Sequence, residues 1–284
     1  MAARSSLQEN IREQQRQVWN EFSSGWQKQD AFVMAWLAPI GDALLDMLEL
    51  KDGDHVLDVS TGTGEPGLTA AARVGSGSVV ATDVAEDMVR VAAKNARKRG
   101  IKNFTVRVAD ANALPFDDDT FDAVVCRFGV MYFADPPAGV RELRRVLKPG
   151  RKLALSAWTQ AAKNPWATTA GTIVREMLSL PTPPPDSPGV FRHAAPRTLT
   201  ALFHDAGLSD LQEREVTGRV TFDSPEHYWT FIMDVVAPVA KPLAGAPEAT
   251  RERVKQAVLN ATRQHEHEGH IVFPWSTWVA AGRK

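Results

Sequence analysis

Residues 55–67, "HVLDVSTGTGEPG", form a short apolar run that ends in a glycine-rich turn. Gly62, Gly64 and Gly67 have the G-x-G-x-x-G spacing, and Asp58 lies four residues before the first glycine. Such a turn brings backbone N–H groups close to a ligand at the start of a helix. The stretch predicts a strand, a turn and a helix that begins at about residue 65. The turn could bind a dinucleotide or a ligand without phosphate.

Strand-like and helical patterns alternate on both sides of this turn. The other predicted strands are "SVVATD" (78–83), "FTVRVA" (104–109), "DAVVCR" (122–127), "KLALSAW" (152–158), "LQEREVTGRVTF" (211–222) and a final strand at 270–284. Strands that alternate with helices are typical of parallel βαβ units. The sequence therefore predicts an α/β fold: a Rossmann-like, doubly wound, mostly parallel seven-stranded sheet with helical cap segments.

The segments outside this alternation divide the chain. We expect an N-terminal helical cap at 1–49, a core at 50–222, a helical insertion at 223–267 that forms part of a lid, and a last core strand at 268–284. Residues 181–189 contain five prolines and predict an extended loop. Ligands of open α/β sheets bind above the carboxyl ends of the strands, where the cap lies. Six aromatic residues are therefore predicted to line an apolar substrate pocket: Trp19, Trp26, Tyr132, Trp158, Trp166 and Trp229.

The amino-acid composition argues against some classes of binding partner. The 284 residues carry a net charge of -1, and 44% are hydrophobic and 24% charged, so no bulk charge favours nucleic acid or an anionic membrane. The single cysteine, Cys126, allows no internal disulfide and is expected to be a small core residue. We expect a cytoplasmic protein with no membrane span. The histidines of "QHEHEGH" (264–270) are expected to lie at a solvated helix end and to bind no metal.

Three carboxylates follow successive predicted strands. Asp58 at the glycine turn would repel a pyrophosphate but tolerate an ammonium and a sulfonium. Asp83, about 20 residues past the glycines, can accept hydrogen bonds from ribose hydroxyls. Asp110 and Ala111 offer a carboxylate acceptor and a backbone donor that match the edge of adenine.

Together, "HVLDVSTGTG", "VVATDVAEDMV", "VRVADANALPFDDDTFDAVVCRFGVMYF" and "ELRRVLKPGRKLALSAW" resemble the class I S-adenosylmethionine-dependent methyltransferases. The resemblance covers roughly residues 50–160 and is greatest to the ubiquinone/menaquinone-biosynthesis branch. It implies S-adenosylmethionine as the cofactor. It further implies that Asp58 and the 62–64 turn hold the methionine end, Asp83 the ribose, and Asp110 the adenine. The full predicted cofactor set is Asp58, Ser60, Thr61, Gly62, Thr63, Gly64, Asp83, Val84, Met88, Asp110, Ala111 and, through its backbone, Arg127.

The chain departs from the family pattern at two positions. The family usually has glycine where this chain has Ser60 and Arg151. The Ser60 hydroxyl could bind the carboxylate of the ligand, so we expect altered geometry and retained binding.

These features predict methyl transfer to a small, hydrophobic or aromatic acceptor by in-line displacement. No catalytic dyad is evident, and His193, His227 and Tyr132 are candidate bases by location only. Two alternatives stay open: a SAM-binding accessory protein without methyl transfer, and an NAD(P)-dependent oxidoreductase. The sequence does not identify the acceptor, or whether its oxygen, carbon, nitrogen or sulfur atom is methylated. It also leaves the oligomeric state open.

Overall fold

A single mixed sheet organises the chain. The computed structural model describes residues 2–184 and 186–284, with side chains described from residue 6 onward. Met1 of the predicted cap and Pro185 of the proline-rich loop lie outside the described residues. In these ranges the strands are β1 (His55–Val59), β2 (Ser78–Asp83), β3 (Phe104–Val108), β4 (Phe121–Arg127), β5 (Leu147–Trp158), β6 (Ser209–Phe222), β7 (Glu266–His267) and β8 (His270–Arg283).

The sheet has the order β3-β2-β1-β4-β5-β8-β6, and the two-residue strand β7 pairs with β8. β1 to β5 pair in parallel, whereas β8 runs antiparallel to both β5 and β6. The predicted Rossmann-like α/β fold is therefore confirmed. The chain reverses its direction across the sheet between β1 and β4, which is where such folds bind ligands.

Helices cover the sheet and its carboxyl edge. They are α1 (Ala2–Lys28), α2 (Asp30–Leu48), α3 (Gly67–Arg73), α4 (Glu86–Lys98), α5 (Pro136–Val146), α6 (Pro165–Met177), α7 (Thr198–Asp205), α8 (Pro225–Val235), α9 (Ala237–Ala244) and α10 (Glu248–Thr262). The segment predicted as one helical insertion is divided into α8, α9 and α10. The prediction of helix up to about residue 268 is wrong for its last residues, because α10 ends at Thr262 and β7 follows.

The two N-terminal helices differ in what they cover. α2 packs against β4, β5 and β8, and ten of its residues are buried, so it forms part of the main core. It is also long and apolar enough to cross a membrane, by length and composition only. Just over half of that window, 56%, is buried inside the protein, as in a core helix.

α1 contacts α4 and α8 and lies across the carboxyl edge of the sheet. Asn20 of α1 accepts a hydrogen bond from the backbone N–H of Asp87 at 2.9 Å and donates to Glu86 at 2.8 Å. At the other end of α1, a Cβ on Gly25 would lie 1.9 Å from the backbone oxygen of Asp234 in α8. Only glycine allows this approach, so α1 is held closely against both neighbours.

Candidate functional site

The glycine turn after β1 is organised by Asp58. Its Oδ2 atom accepts hydrogen bonds from Thr61 Oγ1 at 2.6 Å and from the backbone N–H of Gly67 at 3.0 Å. Oδ1 has no partner among the described residues, and burial raises the pKa of Asp58 to about 7. Asp58 is fully buried and does not line the cavity at the strand ends. The prediction that its charge faces the ligand is therefore wrong, because the carboxylate turns inward to hold the loop.

The turn itself forms one wall of this cavity, which we call the cofactor cavity. Ser60 and Gly62 have φ values of +57° and +56°, in the left-handed region that glycine adopts without strain. A glycine at position 60, which the resemblance implies for the family, would adopt this φ without strain. Ser60, Thr61, Gly62 and Thr63 line the cavity, whereas Gly64 does not.

The Ser60 side chain is accommodated by a second glycine. A Cβ on Gly129 would lie 2.4 Å from Ser60 Cβ and 2.5 Å from its Oγ. Gly129 therefore leaves the space that the Ser60 side chain occupies. Both residues line the cofactor cavity.

Asp83, the last residue of β2, lies in the middle of the lining. Its Oδ2 accepts from the backbone N–H of Gly62 and its Oδ1 from that of Ala85, both at 3.0 Å. Burial raises the pKa of Asp83 to about 6, although these hydrogen bonds oppose the shift. Val84 and Met88 line the cavity beside it. The carboxylate thus links the glycine turn to the start of α4 and still faces the cavity.

Asp110 and Ala111, after β3, form the far end of the lining. Asp110 Oδ1 accepts from the backbone N–H of Asn112 at 2.9 Å, and Oδ2 is 3.3 Å from Nη1 of Arg12. Arg12 belongs to α1 and also lines the cavity. The sequence analysis missed this contact, since nothing in the sequence relates two residues that are 98 positions apart.

A second cavity, the acceptor cavity, lies under α1, α2 and α8. Five of the predicted aromatic residues line it, whereas Trp229 on α8 is half-buried and lines neither cavity. Phe128 and Trp158 stack with ring centroids 4.4 Å apart, and Trp36 meets Trp166 edge-on at 4.9 Å. The sequence analysis missed these apolar lining residues: Val18, Val33, Trp36, Leu37, Phe128, Met131, Pro188, Gly189, Val190, Phe231, Val235, Val236, Ala237, Pro238 and Pro242.

The two cavities adjoin each other. Among the described residues, the side chains that line both are Gln15, Trp19, Trp26, Leu37, Phe128 and Tyr132. A molecule in one cavity therefore shares walls with a molecule in the other.

Comparison with known proteins identifies the family to which this chain belongs. Residues 56–150 match the model of a methyltransferase domain. Over 182 residues, covering 60% of this chain and 73% of its relative, the sequence is 30% identical to the ubiquinone/menaquinone biosynthesis C-methyltransferase UbiE of Cellvibrio japonicus (strain Ueda107). The chain belongs to the S-adenosylmethionine-dependent methyltransferases. Its branch is that of the UbiE-like enzymes, as the resemblance predicted.

Other relatives of this methyltransferase have different names. Nocamycin O-methyltransferase of Saccharothrix syringae is 35% identical over 128 residues, which cover 45% of this chain and 46% of that protein. The chain spans about half the length of the first curated relatives that it matches. The YcgJ protein of Bacillus subtilis has the same fold, with a TM-score of 0.58 and 21% identity over 86% of this chain and 97% of the other.

The candidate bases of the methyltransferase lie in different environments. Tyr132 lines both cavities, and burial raises its pKa, so the phenol stays protonated at neutral pH. His193 lines neither cavity, and burial together with the charge of Arg192 lowers its pKa to about 4. His227 lines neither cavity and accepts the backbone N–H of Asp223 at 3.2 Å. Only Tyr132, of these three, is brought to the site.

Other sequence features of the methyltransferase lie away from the cavities. Cys126 is fully buried in β4, and burial raises its pKa to about 12. His265 lies in a 3-10 turn, and His267 and His270 pair across the β7–β8 hairpin and are exposed, which corrects their predicted place at a helix end. Within the part of the chain that the structure describes, there is no group of three metal-ligating side chains.

Arg127, the last residue of β4, differs from its predicted role. It lines the cofactor cavity, and its side chain extends to α2. There Nη1 is 3.4 Å from the backbone oxygen of Leu37 and Nη2 is 3.4 Å from Sδ of Met34. The family resemblance implied only a backbone role, so the position of this guanidinium is new information from the structure.

Proposed function

We propose that the protein transfers a methyl group from S-adenosylmethionine to a small, hydrophobic or aromatic metabolite. The observation that carries this proposal is the junction of the two cavities. One is lined by the polar strand ends that suit a nucleoside, the other by aromatic rings, and they share walls that include Trp19, Phe128 and Tyr132. A donor and an acceptor held in these cavities would meet at the shared walls.

The lining of the cofactor cavity fits the parts of S-adenosylmethionine in order. Asp110 and Ala111 would hold the adenine edge, and Met88 would pack against the ring. Asp83 would accept hydrogen bonds from the ribose hydroxyls, as carboxylates at this strand end do in related folds. The 60–63 turn and Arg127 would hold the methionine end.

When bound, the cofactor supplies a methyl group that is activated by a positively charged sulfur. Transfer forms a bond between the acceptor atom and the methyl carbon while the carbon–sulfur bond breaks and its electron pair returns to sulfur. The chain contributes orientation and the exclusion of water by α1 and α2. Alignment of a bound pair can lower the barrier by about 7–11 kcal/mol.

The acceptor cavity supports a ligand with a hydrophobic frame and few polar groups. Gln15, Tyr132 and Lys241 are the polar members of its lining among the described residues, and Lys241 pairs with Glu21 at 2.6 Å. A protonated Tyr132 would donate a hydrogen bond to an acceptor oxygen rather than remove a proton. A phenol or an acidic carbon would then lose its proton to bulk water before it enters the cavity.

The test is transfer of labelled methyl from S-adenosylmethionine to a fractionated metabolite extract. We expect a labelled product in the hydrophobic fractions, and much less of it with the Asp83→Ala variant at the same cofactor concentration. Binding of S-adenosylhomocysteine without any labelled product would favour the accessory-protein alternative instead.

A further inference from the structure

The guanidinium of Arg127 is a cation below the surface that lacks a paired anion. Arginine carries five N–H donors, but Arg127 uses only two, on a carbonyl oxygen and a thioether, both at 3.4 Å. Among the described residues, no carboxylate lies within ion-pair distance of it, although every other cation in the lining of the two cavities has one. Arg12 pairs with Asp110 and Lys241 with Glu21.

Three acidic groups, Glu65, Asp58 and Asp30, act on Arg127 without forming an ion pair with it. Asp30 accepts from Nδ2 of Asn95 at 3.3 Å through Oδ2, and its Oδ1 has no partner among the described residues. Glu65 forms an ion pair with Arg99 and accepts the backbone N–H of Thr69 at 3.1 Å. Asp58 holds Thr61 and Gly67. Burial lowers the pKa of Arg127, and the charges of Glu65, Asp58 and Asp30 only partly oppose this. Because Arg127 is half-buried and has no carboxylate partner among the described residues, an anion bound in the cavity would supply the charge partner that the free protein lacks.

The position of Arg127 within the cofactor cavity suggests which ligand group would pair with it. Asp110 marks one end of the lining, Asp83 the middle, and Arg127 lies with Met34 and Leu37 beyond the 60–63 turn. The only other cation of this lining, within the described residues, is Arg12, which lies at the Asp110 end. A nucleoside with its base at Asp110 would extend its tail toward Arg127.

We propose that the Arg127 guanidinium binds the α-carboxylate at the methionine end of the cofactor. This proposal rests on the proposed function. Guanidinium and carboxylate can form two parallel hydrogen bonds, and such charge-assisted pairs are stronger and more specific than neutral ones. The side chain then supplies the anion site, whereas the resemblance to known methyltransferases implies only a backbone contact at this residue.

The test compares two ligands by calorimetric titration: S-adenosylhomocysteine and its decarboxylated analogue, S-adenosyl-3-thiopropylamine. In the wild-type protein we expect S-adenosylhomocysteine to bind about 10- to 100-fold more tightly, because only it has the carboxylate. Arg127→Gln should remove this preference by weakening S-adenosylhomocysteine alone, and Arg127→Lys should restore part of it. Arg192→Gln is the matched control, since Arg192 also donates to a backbone carbonyl, that of Phe133, but lines neither cavity.

Thermal unfolding of the ligand-free protein distinguishes a role of Arg127 in ligand binding from a purely structural role. Loss of an unpaired charge should leave the Arg127→Gln melting temperature equal to or above that of the wild type. A lower melting temperature together with equal weakening of both ligands would show that Arg127 only braces α2, and would overturn the proposal. Equal affinity of the wild-type protein for both ligands would overturn it without any variant. If the wild type binds neither ligand, the proposed function fails as well.

Discussion

The cofactor cavity and the acceptor cavity are built from different kinds of sequence. The first is made mainly by residues that directly follow β1, β2, β3 and β4, each next to the strand that positions it. The second is made by α1, α2, the end of β5, residues 188–190, α8 and α9, which are far apart in the chain. Local motifs therefore specify the cofactor cavity, whereas only tertiary packing specifies the acceptor cavity. Substitutions should affect the two cavities separately.

Trp158→Ala should have the largest effect and should break the acceptor cavity alone. Trp158 is 5% exposed and stacks on Phe128, so truncation should lower the free energy of unfolding by about 3–5 kcal/mol. Affinity for S-adenosylhomocysteine should change by less than about threefold. Urea unfolding and calorimetry measure the two effects. A collapse of S-adenosylhomocysteine affinity in the folded variant would show that the cavities are not separable.

Asp83→Ala should break the cofactor cavity instead. The substitution removes the acceptor for the backbone N–H groups of Gly62 and Ala85 as well as the proposed ribose contact. We expect S-adenosylhomocysteine to bind about 100-fold more weakly, which corresponds to about 3 kcal/mol. Calorimetry checks this against Asp205→Ala, an exposed aspartate outside both cavities. Affinity unchanged by Asp83→Ala would contradict the assignment of this strand end.

Gly25→Ala tests the close contact between α1 and α8, two helices that line the cavities. The added Cβ would meet the backbone of Asp234 and force α1 away from α8, which should lower the free energy of unfolding by about 1–3 kcal/mol. Gly171→Ala in α6 is the matched control, because its Cβ would meet no neighbour, and it should stabilise the protein by about 0.5–1 kcal/mol. Equal stability changes in the two variants, measured by urea unfolding, would show that α1 is not held closely.

Asp58→Asn tests the pH dependence of stability. Because the folded pKa of Asp58 is raised to about 7 from 3.8, the folded protein holds this proton more tightly than the unfolded chain. Its contribution to stability is present at low pH and is lost as pH rises from about 4 to about 7, by at most about 1.4 kcal/mol per pH unit.

The Asp58→Asn variant should lose that part of the slope, since asparagine does not ionise. Urea unfolding between pH 5 and 7 measures this, with Asp117→Asn, an exposed aspartate, as the control. A parallel slope in the wild type and Asp58→Asn would mean that Asp58 is not buried as described.

The same difference between the cavities explains what the sequence could predict. The bounds of β2, residues 78–83, were predicted to the residue, because an apolar run and the residues that flank it mark them locally. β5 begins at Leu147, five residues before the predicted start, since Pro149 and Gly150 were interpreted as a break. α6 was not predicted, and Trp36 was counted only as part of a helix. The reach of Arg127 to α2 has no sequence signal, because it depends on packing between segments that are 90 positions apart. The carboxylate of Asp58 is held by the nearby Thr61 and Gly67, but the sequence does not indicate that it turns inward.

The central claim is that the strand ends of β1 to β4 bind a sulfonium nucleoside and not a dinucleotide. Parallel calorimetric titrations of the wild-type protein with S-adenosylhomocysteine and with NADH test it most directly. The account predicts saturable micromolar binding of S-adenosylhomocysteine and no binding heat with NADH. Binding of NADH, with no heat from S-adenosylhomocysteine, would contradict it.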